Sequence, residues 1–108
     1  MSDSTVTIQE LKELILNFIN ERNWLSAQKP RDLSISICLE AAELLEHFQW
    51  YDKNDYASLK ADGKLPFIEE ELADVLIYCL SMAHTMKIDI SESIVRKLRK
   101  NAARFPVT

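Results

Sequence analysis

The chain has a single glycine and three prolines in 108 residues, too few turn-formers for the tight reversals of a small β-sandwich or barrel. The same scarcity excludes a glycine loop that cradles phosphates, because Gly63 stands alone and such a loop needs several backbone amides freed by glycine. Cysteine is scarce as well. Cys38 and Cys79 sit in apolar stretches with no CxxC or Cys/His spacing, which predicts buried free thiols and excludes a thiolate metal site. No run is long and uniformly apolar enough for a membrane span, and "MSDSTVTIQE" lacks the basic and apolar regions of a secretory leader. A basic excess is missing too: 13 Lys and Arg face 17 Asp and Glu, a net charge of −4, which argues against binding a nucleic-acid polymer. The expectation is a cytoplasmic protein with no membrane partner.

What is present favours helix. Ala, Leu, Ile, Glu and Lys dominate, and the length suits one domain, residues 1–108, with one modest core. Thr7 and Glu10 make a capping box, after which Ile8, Leu11, Leu14, Ile15, Phe18 and Ile19 fall on one face. Asp32 is the expected N-cap of a second helix, whose stripe of Leu33, Ile37, Ala41, Leu44, Leu45 and Phe48 runs to Trp50. A polar connector, "YDKNDYASLKADGK", follows. Pro66 suits the first turn of a third helix reaching about Met86, and Asp89 with Glu92 opens a fourth that stops before Pro106. The prediction is an all-α, four-helix bundle-like fold. The third helix is apolar beyond one stripe, which predicts an oligomer.

The acids carry the chemistry. Glu40 with Glu43 in "LEAAELLEHFQW", and Glu71 with Asp74 in "EELADVLIY", share an i,i+3 spacing that sets both side chains of a pair on one helical face. At roughly 100° per residue, each pair occupies the same margin of its helix's apolar stripe. Either pair alone reads as a solvated face. Two pairs matched in phase on neighbouring helices converge, and four clustered carboxylates make physical sense when they hold cations. All-oxygen ligands select Mg²⁺ first and Mn²⁺ second. Neither His47 nor His84 follows an acid by three residues, which removes a di-iron bundle.

A carboxylate-bound Mg²⁺ takes its remaining ligands from water and substrate phosphates. In "RKLRKNAARFP", Lys97, Lys100, Asn101 and Arg104 lie along one side of the last helix, either as phosphate contacts or as cations near a helix C-terminus. Trp24 and Trp50 stand at helix ends, suited to oligomer packing or to stacking a base. Tyr78, one turn after Asp74, projects from that acid's face.

In this order and spacing, "ERNW" with "PRDL", "EAAELLEHFQW", "EELADVLIY" and "KLRKNAARFP" resemble the MazG-like all-α nucleoside triphosphate pyrophosphohydrolases, among them the small dCTP pyrophosphatases. The resemblance implies hydrolysis of a (deoxy)nucleoside triphosphate, such as dCTP, to monophosphate and pyrophosphate in nucleotide pool house-cleaning. It also implies a homodimer or homotetramer whose sites are lined by neighbouring subunits. Mg²⁺ would sit on Glu40, Glu43, Glu71 and Asp74, phosphates and sugar on Lys97, Lys100, Asn101 and Arg104, the base between Trp24 and Trp50, and the deoxyribose near Tyr78. Leu39 and Ile15 depart from the family pattern, the first where a further acid is common and the second where a histidine lies near the base. Base preference therefore stays open. Two other readings compete: a phosphoribosyl-ATP pyrophosphohydrolase-like enzyme, and a non-catalytic helical adaptor or regulator presenting an acidic face.

Overall fold

Thr7 opens the first helix as its spacing predicts. In the computed structural model, which describes residues 1–107, its hydroxyl accepts from the Glu10 amide at 3.1 Å while Glu10 accepts from the Thr7 amide at 3.3 Å. Helix α1 then runs Ile8–Glu21. It ends where Asn23 takes a left-handed conformation (φ 58°) and the Trp24 amide reaches back to the Ile19 carbonyl at 3.1 Å. A 3₁₀ turn, Leu25–Ala27, leads to α2, Pro30–Glu46.

Two boundaries of α2 differ from the sequence reading. Its N-cap is Lys29, with Pro30 at the first helical position, because proline's fixed φ starts a helix without sacrificing an N–H that would be paired. Asp32 lies inside the first turn, where its charge meets the positive helix end. The helix also stops at Glu46, and Phe48 to Trp50 continue as turns. The connector holds a short helix of its own, α3, Tyr56–Ala61. Asp55 caps it through the Ser58 amide at 2.8 Å, and Leu59 anchors it in the core. The chain's one glycine, Gly63 at φ 72°, closes it.

Helix α4, Leu65–Thr85, is the central element, packed along α2 and, by its C-terminal part, on α1. Ser81 and Ala83 are buried there, small enough to let the helices approach. Lys87 in the left-handed region (φ 56°) ends α4 with the Ile88 amide on the Ala83 carbonyl at 2.8 Å. Lys12, 8% exposed, crosses from α1 and donates its ammonium to the Ile88 carbonyl at 2.7 Å. That charge meets the carbonyl end of α4 and pins the joint to the next helix.

Helix α5, Ile90–Arg104, starts on Asp89, which accepts from the Glu92 amide at 3.0 Å. It does not close a four-helix bundle. No described element packs along it, and Ile94, Val95 and Leu98 are exposed. The described chain is thus five α-helices with no strand, built around an α1–α2–α4 layer. The radius of gyration is 16.6 Å, against about 13 Å for a compact domain of this length. The accessible surface is 8663 Å², against roughly 6,200 Å² for a monomer of this mass. Cys38 is exposed and Cys79 half-buried, both free. The expectation that both thiols are buried fails fully for Cys38, on the exposed side of α2, and in part for Cys79. No described helix is long and apolar enough to cross a membrane.

Candidate metal and nucleotide site

Helices α2 and α4 run antiparallel, and their register sets the site. Ser36 and Tyr78 line one recess, Glu43 and Glu71 share one acidic group, and the His47 and Phe67 rings stack at 6.4 Å. The first step is about two helical turns on both helices and the second about one. The i,i+3 acid pairs therefore face each other across the seam, as their matched phase predicts.

Glu40, Glu43 and Glu71 bring one carboxylate oxygen each within 4.8 Å of one another. Asp74 lies outside that tight group but close enough for its charge to act on both Glu40 and Glu71. Burial, followed by the hydrogen bond and negative charge of Glu43, pushes the Glu40 carboxyl up to about 7. Burial first, then Glu43, also raises Glu71. One oxygen of Glu40 and one of Glu71, both Oε2, are buried with no hydrogen-bond partner. No described cation answers these acids, since the ion pairs among described residues are Arg22 with Glu21 and Arg96 with Glu92. Unpaired buried carboxylate oxygens in a mutually repelling cluster cost free energy that a bound cation removes. The donor set is all oxygen, so the residues fit a hard divalent ion.

One turn along the seam, an open recess of about 380 Å³ is lined by Trp24, Ala27, Gln28, Asp32, Leu33, Ser36 and Tyr78. Trp24 is braced edge-on by Phe18, ring centroids 5.8 Å apart. Trp24 and Tyr78 thus share one recess next to the acids. Trp50 does not join them. It lies 87% exposed beyond the far end of α2, and 17 helical residues separate the two indoles, about 25 Å of axis.

The α5 residues also stand apart from the acids. Lys97, Lys100 and Arg104 are exposed, Asn101 is half-buried, and none hydrogen-bonds or pairs with the acids of α2 and α4. The Arg104 guanidinium lies over its neighbour Phe105. Gln28 and Ser36 were missed as site residues by the sequence reading. For Ser36 the signal was there, one turn before Glu40 on the acid face. Gln28 sits in an irregular joint that no periodicity places.

Relatives match this frame. Residues 35–108, which carry both acid pairs and α5, match the MazG-like family. The dCTP pyrophosphatase 1 of Bos taurus is 30% identical over 96% of this chain, and that of Mus musculus 31% over 94%. The chain spans 62% and 60% of the length of those two relatives. A crystal structure of a pyrophosphatase from Archaeoglobus fulgidus superimposes with a TM-score of 0.86 at 34% identity, covering 99% of each chain. With the family match covering most of its length and the same fold in a solved pyrophosphatase, the chain belongs to the MazG-like family.

Proposed function

We propose that this protein is a Mg²⁺-dependent nucleoside triphosphate pyrophosphohydrolase. It adds water across one phosphoanhydride bond of a (deoxy)nucleoside triphosphate such as dCTP, and yields the monophosphate and pyrophosphate. The observation that carries this is the pair of buried, unpartnered carboxylate oxygens of Glu40 and Glu71 within an acidic cluster one turn from an aromatic recess. MazG-like pyrophosphatases depend in general on divalent metal, and similarity to dCTP pyrophosphatases supports the substrate class.

Glu40, Glu43, Glu71 and Asp74 would hold the ion, Mg²⁺ or Mn²⁺ in its place. When bound, it supplies charge neutralisation for the phosphates and acidity to a water. The chain's own residues do the rest. Trp24 and Tyr78 bind the nucleoside in the recess and fix where the phosphates begin. Glu40 and exposed Glu43 beside it are placed to orient the attacking water and accept its proton.

Lys97, Lys100, Asn101 and Arg104 stabilise the phosphates and the departing pyrophosphate from a neighbouring subunit, because within one protomer they do not reach the acids. Self-association as a homodimer or homotetramer is supported by about 2,500 Å² of surface beyond that of a typical monomer, the scale of an obligate interface. It also offers the route by which a partner's Trp50 joins the base.

The test is pyrophosphate release from a panel of dNTPs and NTPs, with Mg²⁺ and with EDTA. Metal-dependent release supports the reading and names the base. No turnover by folded, Mg²⁺-saturated protein overturns it and promotes the adaptor.

A further inference from the structure

The seam between α2 and α4 continues past the acids to a third station that neither the sequence reading nor the proposed mechanism uses. His47 lies one turn beyond Glu43 on the same face of α2, about 6 Å farther along the axis. Its half-buried ring stacks on Phe67 of α4, with an interplanar angle of 23°. The near-parallel Phe67 ring lies to one side of it, and no hydrogen bond to a described residue occupies either ring nitrogen. A half-buried imidazole with free nitrogens at the end of a carboxylate row is a ready donor to an anion.

The order of the stations decides which anion. At the opposite end lies the concave recess, where Trp24 offers a stacking face and Gln28, Asp32 and Ser36 offer hydrogen-bonding groups suited to a base. The acids come next, at the position for metal-held phosphates. A triphosphate laid from the recess along this row carries its terminal phosphates toward His47. At the His47 end Phe67 and Trp50 are exposed and leave the row open to solvent.

We infer that His47 is a contact for the terminal phosphates of the substrate and for the pyrophosphate product, an assignment that rests on the pyrophosphohydrolase reading above. It acts by donating a hydrogen bond, and it separates triphosphates from shorter phosphates.

The chain has two histidines, His47 and His84, and His84 lies toward the other end of α4 in a recess shared with Lys12 and Lys87. It is therefore an internal control. The experiment follows the imidazole resonances of Mg²⁺-loaded wild-type protein by NMR while inorganic pyrophosphate is titrated in. The same titration is made on His47→Phe, which keeps the ring stack and removes the nitrogens. We expect the His47 resonances to move saturably while those of His84 stay. The variant should bind pyrophosphate on the order of tenfold more weakly, with product inhibition relaxed by the same factor and the order of base preference unchanged. Silent His47 resonances, a variant that binds pyrophosphate like wild type, or an altered base preference with intact pyrophosphate binding would each overturn the assignment. Failure of the broader reading looks different: wild type then releases no pyrophosphate from any nucleoside triphosphate, whatever the histidine does.

Discussion

The α2–α4 seam and helix α5 are opposite in almost every respect. The seam is paired along its length and holds acids in a fixed register, with buried carboxylate oxygens that lack partners. Helix α5 is amphipathic and capped, yet its apolar residues Ile94, Val95 and Leu98 face no described element and its cations answer no acid beyond Arg96 with Glu92. One chain therefore completes the negative half of a site and leaves the positive half unpositioned. Opposite charges that would stabilise each other are kept apart within the chain, and the proposed assembly is what would bring them together.

The largest way to break this contrast is at the seam. Glu43→Ala or Asp74→Ala should lower metal-dependent pyrophosphate release on the order of 10²- to 10³-fold, with helicity unchanged by circular dichroism. Next comes the separation of halves. A Glu43→Ala chain and an Arg104→Ala chain, each inactive alone, should regain roughly a quarter of wild-type activity when mixed and reassembled, as symmetric pairing of acids with a partner's cations requires. No recovery on mixing would put both halves in one chain and remove the contrast. Leu98→Asp should shift sedimentation toward the monomer and remove activity along with it.

A smaller effect sharpens the seam's electrostatics. The Glu40 carboxyl rises from 4.5 to about 7 on folding, so the folded state holds that proton more tightly than the unfolded one. The protonated acid's contribution is full below pH 4.5 and is lost as pH rises through 7. Metal-free protein should therefore melt a few degrees lower at pH 8 than at pH 5.5. Saturating Mg²⁺ should abolish the fall, because the ion replaces the proton. Smallest is the α4–α5 joint. Lys87→Gly relieves a left-handed backbone that a side chain disfavours and should raise stability by about 0.5–1 kcal/mol, read as a higher Tm with activity unchanged.

Much of this was legible in the residues. The Thr7 and Asp89 caps, the stop before Pro106 and the matched phase of the acid pairs all follow from local hydrogen bonding or from a fixed angle per residue. The misses have local causes as well. Lys29 and Pro30 displaced Asp32 as the start of α2, since proline outranks a carboxylate in setting φ. Helix α3 hid in a polar connector, because six residues are too short to show a period and one buried Leu59 secures them.

The sequence by itself determined which segments are helical, which faces are apolar and which residues can hold a cation, because each depends on neighbours within a turn or two along the chain. Only the tertiary structure decided that the two acid pairs meet, that Trp24 joins Tyr78 while Trp50 stands far away, and that α5 stays unpartnered. Those outcomes depend on helix register and direction, which are set by how buried side chains such as Leu33, Ile19 and Ala83 pack against one another.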